Sequence, residues 1–311
     1  DGKVVAQGSL DTPNIAAGGT AEIALPRKAF AGQANAENFV TVEAVAQPGT
    51  IPAVDAGAVV AWEQFGIGND AHELVVSHAS VKAPQTSLRD NHLVVTTGNA
   101  TIAFDPASGE MVQWTVGGRE LLLAGLVPNL WRAPTDNDTG GTWLIRTSGI
   151  WKSLVEGRKL SAFMHRTEGG RVIVSTAYRL GDDAAEFAID YRIAGDGKVE
   201  VTGALEPRKQ GLPIIPRVGM SLQLGGAYGE LEWFGRGPHE NYWDRKTGAA
   251  IGRYRSTVAE QYHDYSRPQE TGNKTDVRWF ALRDRQGFGL KFTADGLLGF
   301  SALPLLQSDL D

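Results

Sequence analysis

Apolar residues recur at every second position along much of this chain, and that period points to antiparallel strands. From Phe187 to Ile193 the apolar positions are Phe187, Ile189, Tyr191 and Ile193, with small or charged residues between them. One face of such a segment is buried and the other is wet. Gly195-Asp196-Gly197 then turns the chain, and Lys198 to Thr202 returns with the same alternation, which makes a hairpin. Val172, Val174, Thr176 and Tyr178 line one face of a further strand. Asp105 to Gly109 is turn chemistry between a strand holding Ile102 and Phe104 and one holding Val112, Trp114 and Val116. Residues 277–282 and 288–292 are joined by Asp284-Arg285-Gln286-Gly287 as another hairpin. Helical periodicity is weak, and its best candidate runs from Trp151 to Val155.

The fold class is therefore all-β. The 38 glycines, dispersed singly, fit a protein with many turns. At 311 residues the chain has room for about two domains. A boundary falls near residues 66–85, where Gly66 to Asp70 and the stretch around Pro84 are polar. Ahead of it, residues 4–10, 19–26, 38–46 and 58–65 give about four strands. An immunoglobulin-like sandwich needs roughly seven, so the first domain is expected to enter mid-fold. The rest holds a dozen or more strands, enough for two large packed sheets.

Composition narrows the function. The net charge of −6 gives no support for a nucleic-acid partner. The chain has no cysteine, which excludes disulfides, thiolate nucleophiles and Cys-ligated zinc. No apolar run approaches the roughly 20 residues of a membrane span, and no membrane partner is expected. Asp1-Gly2-Lys3 carries no starting Met and no signal pattern, and reads as the start of a piece of a longer chain.

Polar and aromatic residues gather in three segments. The first runs from Trp131 to Gly141 and holds Arg132, Asp136, Asn137, Asp138, Gly140 and Gly141. It reads either as a ligand-facing or cation-binding loop, since hard cations want clustered oxygens, or as a turn capped by its own Asp and Asn side chains. The second holds Trp233, Gly235, Gly237, Pro238, His239, Glu240, Asn241, Tyr242, Asp244 and Arg245. His239 and Glu240 could be an acid/base pair and the aromatics a sugar platform; the alternative is a buried turn whose charges satisfy one another. The Gly-x-Gly spacing is no phosphate cradle, because proline follows and no helix opens. The third runs from Tyr262 to Lys274 and holds Glu270, Gly272 and Asn273. His263, Asp264 and Ser266 are close in sequence, but no nucleophile elbow accompanies them. The other histidines, His72, His78, His92 and His165, show no zinc spacing. No metal site is expected in this chain.

These segments, in this order, resemble the C-terminal motifs of the five-domain β-galactosidases of glycoside hydrolase family 2, of the lac-operon type. Residues 131–140 resemble its Arg-Ala-Pro-x-Asp-Asn-Asp-x-Gly motif, 232–245 its Gly-Pro-x-Glu-Asn-Tyr-x-Asp-Arg motif, and 265–279 its Pro-x-Glu-Asn-Gly motif with Thr271 in place of Asn. Residues 1–26 and 58–67 are similar to the sandwich that follows the family's catalytic barrel.

The resemblance implies an incomplete immunoglobulin-like domain at residues 1–66, a linker and first strand at 67–84, and a supersandwich related to galactose mutarotase at 85–311 that lacks its last strands. Exposed sheet edges would then favour self-association. The resemblance implies a parent that hydrolyses terminal β-D-galactosides with retention, using two barrel glutamates absent from this chain, so the chain alone is expected to be inactive. It implies that Arg132, Asp136, Asn137, Asp138, Gly140 and Gly141 belong to a mobile active-site loop, with Gly140 and Gly141 as hinge. The named residues of the other two segments are implied to be structural.

No cofactor is implied for this chain, although the family commonly uses magnesium and sodium ions. The implied partners are the barrel and N-terminal domains of the parent, its galactoside substrate and further copies of a homo-oligomeric parent, in the bacterial cytoplasm or periplasm. A free-standing sugar-binding module is the alternative, and an aldose epimerase rests on fold relatedness alone.

Overall fold

The computed structural model describes residues 2–26, 36–67, 82–141 and 143–311. All its sheets are antiparallel. Strands β1 (Asn38–Val45) and β2 (Val59–Ile67) form a two-stranded ribbon. Next comes a five-stranded meander of β3 (Gln85–Arg89), β4 (His92–Thr96), β5 (Ala100–Phe104), β6 (Met111–Val116) and β7 (Arg119–Glu120). Strand β8 (Leu122–Asn129) leads into three short helices, α1 (Asp136–Gly141), α2 (Trp143–Ser148) and α3 (Ile150–Glu156). A second meander follows, of β9 (Lys159–Glu168), β10 (Arg171–Leu180), β11 (Ala185–Ile193) and β12 (Val199–Pro207). Strand β13 (Gly219–Leu224) returns to pair with β8. The last sheet has the order β15-β14-β16-β17, built from β14 (Glu230–Gly237), β15 (Ala250–Thr257), β16 (Lys274–Arg283) and β17 (Gly289–Phe300).

The predicted hairpins are in place. Asp105 closes its turn by accepting hydrogen bonds from the amides of Ala107 and Ser108, and Gly109 takes the positive φ that follows. Phe187, Ile189, Tyr191 and Ile193 are all buried on one face of β11, and Val172, Val174, Thr176 and Tyr178 on the same side of β10. They meet Leu93, Val95, Ile102 and Phe104 of the first meander and Trp151 and Leu154 of α3 in one core. Burying side chains of this size contributes about 1.5–3 kcal/mol each, so this core fixes how the two meanders face one another.

Two expectations do not hold. Residues 4–10 and 19–26 carry no strand, and Val4 and Val5 stay 72% and 61% exposed. Alternation makes a strand only when a neighbour supplies the hydrogen-bond ladder, and these residues have none among the described residues. The segment predicted as a hinged loop, 136–141, is instead helix α1. The region 68–81, with the boundary, His72 and His78, lies outside the described residues.

The ribbon is fastened to the last sheet through an edge. Among the described residues no strand pairs with the outer edge of β15, and such an edge is a liability that proteins cover. The Gln64 side chain covers it, accepting from the Ile251 amide at 2.7 Å and donating to its carbonyl at 3.0 Å. Arg278 of β16 adds an ion pair to Glu37.

Candidate functional site

The three polar segments come together where β8 and β14 end and β16 begins. The first opens α1. Thr135 and Asp138 reciprocate: the Thr135 amide donates to the Asp138 carboxylate at 2.8 Å, and the Asp138 amide to the Thr135 hydroxyl at 3.4 Å. This is a capping box, which satisfies the orphan amides of a first turn. Arg132 grips the same carboxylate in bidentate fashion, at 2.6 and 3.1 Å. Burial works to raise the Asp138 pKa; the hydrogen bonds from Arg132 and Thr135 overcome it and hold the carboxyl below its usual value. Asp136 and Asn137 are exposed, as are Gly140 and Gly141. The two glycines sit in helical backbone without positive φ, and a Cβ on either would meet nothing closer than 4.0 Å.

The second and third segments knot around Glu240. One of its oxygens takes Arg245 and the Tyr265 hydroxyl; the other takes the Thr271 hydroxyl at 3.0 Å and the Gly272 amide at 2.7 Å. Burial pushes the carboxyl up, but these four donors outweigh it and lower its pKa to about 2. Glu240 is thus ionised at neutral pH with both oxygens occupied, and it has no bond to the His239 ring among the described residues. The acid/base reading of that pair does not match this geometry.

Asn241 plays the same part for the backbone. Its side-chain carbonyl accepts from the Thr275 amide and hydroxyl at 2.8 and 2.6 Å, and its backbone amide donates to the Asn273 carbonyl at 2.8 Å. The Asn273 side chain returns a bond to the Asn241 carbonyl at 2.8 Å.

The remaining members fall into place around the knot. Trp233 is buried and donates to the Arg236 carbonyl at 2.9 Å. Gly235 and Gly237 leave no room for a Cβ, which would lie 2.6 Å from Val277 and 2.7 Å from Tyr254 respectively. The Gly237-Pro238 bond is cis. The Tyr242 hydroxyl is buried without a partner among the described residues, and Asp244 is exposed. Glu270, 6% exposed, pairs with Arg217 at 2.5 Å.

Sequence reasoning missed several members. Gln269 joins the first and third segments by bonding Asp136. Arg217 and Asn129 meet at Gln307, and Trp131 and Lys152 meet at Asp311. Lys274 is fully buried beside Glu240, and burial brings its pKa down to about 8, against a smaller opposing pull from Glu240. Gln269 and Lys274 lie inside the quoted motif and could have been singled out. Trp131 opens the first segment, and Asn129, Lys152, Arg217, Gln307 and Asp311 lack any local signal.

The arrangement is one of mutual satisfaction. Asp138, Glu240, Glu270 and Asp276 each face a cation of this chain. Among the described residues no three His, Asp or Glu side chains group to hold a metal. Both oxygens of Asp138 and one of Asp136 are turned to protein donors, which does not fit a cation loop.

Comparison with known proteins places this geometry. A family model described as the β-galactosidase small chain matches residues 96–311, and one described as β-galactosidase domain 4 matches residues 1–68. A β-galactosidase of Priestia megaterium is 33% identical over 302 residues, covering 96% of this chain and 28% of the relative. β-Galactosidase 2 of Enterobacter cloacae is 32% identical over 311 residues, covering 92% and 28%. A β-galactosidase of Halalkalibacterium halodurans is 34% identical over 194 residues, covering 61% and 19%. The chain therefore spans less than a third of the length of these relatives.

Proposed function

The chain belongs to the β-galactosidase small-chain family, and from that membership we propose that it is the noncatalytic part of a β-galactosidase, supporting and gating an active site built elsewhere in the polypeptide. The parent reaction is hydrolysis of terminal β-D-galactosides with retention, carried by two carboxylates about 5–5.5 Å apart on a barrel.

The observation that carries the noncatalytic role is the state of the carboxylates. A retaining pair needs one group free to attack and one free to give a proton. Every buried carboxylate of the convergent site is instead locked in an ion pair. Their hydrogen bonds stiffen a scaffold and leave no acid or nucleophile poised.

Support for gating comes from α1. It is a single turn and a half, it exposes Asn137, Gly140 and Gly141, and it is moored through Arg132, Thr135 and Gln269. Beside it Trp143 is 52% exposed. A short helix with two glycines is marginal on its own, so the moorings decide whether it stays folded.

The test is hydrolysis of o-nitrophenyl galactoside by the purified chain, alongside calorimetric titration with galactose. No turnover and no saturable galactose binding are expected. Turnover would refute the noncatalytic role, and binding at millimolar or tighter affinity would favour an independent sugar-binding module.

A further inference from the structure

Lys274, at 2% exposure, is the most deeply buried charged side chain among the described residues. Its ammonium donates one hydrogen bond, to the Gly272 carbonyl at 3.2 Å, and lies 5.2 Å from the centroid of the Trp233 ring. An ammonium has three N–H groups, so two are left over. Among the described residues no carboxylate lies within ion-pair distance of it. Glu240 is the acid whose field it feels, but four other donors already occupy that carboxylate. A buried cation so poorly matched is costly unless something else completes its shell.

Lys274 lies on the wall of a pocket of about 460 Å³, a size within the usual range for small-molecule sites. The other walls are rich in donors. Arg245 is half exposed on the pocket wall, packs its guanidinium 4.8 Å from the Tyr242 ring centroid, and uses only one terminal nitrogen in hydrogen bonds, to Glu240 and Tyr265. The rings of His239 and His263 line the pocket and make no hydrogen bond among the described residues. The acids on the wall are Glu240, already saturated, and Glu260, one of whose oxygens is held by Ser256 and Thr257. One Glu260 oxygen is thus the carboxylate acceptor left on the wall, against two N–H groups of Lys274 and the unbonded nitrogens of Arg245.

We propose that this pocket binds a small organic oxyanion, a sugar-sized molecule bearing a carboxylate or phosphate, with Lys274 as the buried charge that meets it and Arg245 as the second donor. The ligand's oxygens complete the shell of the Lys274 ammonium, while hydroxyls meet the half-buried rim. The site is separate from α1 and stands whether or not the chain gates a galactosidase.

Titration of the whole chain with inorganic phosphate and with galacturonate, using galactose as the uncharged control, tests this. At least one anion is expected to saturate with a millimolar dissociation constant, at least about tenfold tighter than galactose. Phosphate alone binding would assign a phosphate ligand, and galacturonate alone a carboxylate.

Lys274→Met is expected to weaken binding at least about tenfold. Because that variant could fail to fold, a second readout uses the unaltered chain. An anion beside the amine favours its charged form, so the lysine resonance that titrates near pH 8 should move up when the anion is added. Neither anion saturating below about 50 mM, or a Lys274 resonance that does not move on binding, would overturn the proposal.

Discussion

Gln269 and Asp136, 133 residues apart, hold each other with a reciprocal pair of hydrogen bonds: the Gln269 amide donates to the Asp136 carboxylate at 3.0 Å, and the Asp136 backbone amide donates to the Gln269 carbonyl at 3.2 Å. The pair ties the start of α1 to the segment that enters β16. It puts a local helix under the control of a distant loop.

Replacing Gln269 by Ala removes both bonds. Each is worth about 1 kcal/mol net, so a loss of about 1–2 kcal/mol is expected, concentrated in α1. Hydrogen exchange is the suitable measurement. Amides of residues 136–141 should exchange faster, while those of β10 and β11 stay unchanged. Gln269→Glu should be worse at neutral pH, because it sets one carboxylate against another, and should recover when both are protonated.

Glu240 makes a prediction about pH. Its carboxyl titrates near 2 in the folded chain against 4.5 ordinarily. A depressed acid contributes stability that is complete above the unfolded value and is lost as pH falls through the folded one. About 3 kcal/mol should therefore disappear between pH 4.5 and pH 2. Urea unfolding across that window would show it. Glu240→Gln should cost about 3 kcal/mol at pH 7 and should flatten this part of the acid limb. An unchanged acid limb would show that the four donors do not act as the geometry suggests.

Gly235 tests packing under the second segment. A Cβ there would lie 2.6 Å from the Val277 side chain and 2.8 Å from its Cα. Backbone cannot step aside as a side-chain tip does, so Gly235→Ala should cost about 1–3 kcal/mol. Thermal unfolding would measure the loss.

These residues show how far the sequence could be read. Alternation in β10 and β11 was legible because one face of each strand packs on a core, which imposes a period of two. The strand expected at residues 4–10 did not form, since Val4 and Val5 have no ladder to join among the described residues and stay exposed. The family motifs marked the right three segments but not their wiring. Gln269 to Asp136 and Arg217 to Glu270 are contacts across the fold, and spacing carries no trace of them. Helix α1 was hidden for a different reason. Two glycines and four polar residues argue for a loop, and only the Thr135 to Asp138 spacing, the signature of a capping box, argued otherwise.

In the proposed function α1 gates an active site while the chemistry lies elsewhere. Gly140 and Gly141 offer a direct test, because alanine fits at both without a clash and improves helix propensity by about 1 kcal/mol per site. The measurement is steady-state kinetics of a β-galactosidase polypeptide carrying this chain, comparing the unaltered protein with Gly140→Ala/Gly141→Ala, with helix stabilisation confirmed by hydrogen exchange. The account predicts a severalfold change in kcat/KM for galactosides. Kinetics that stay identical while α1 is demonstrably stabilised would contradict it.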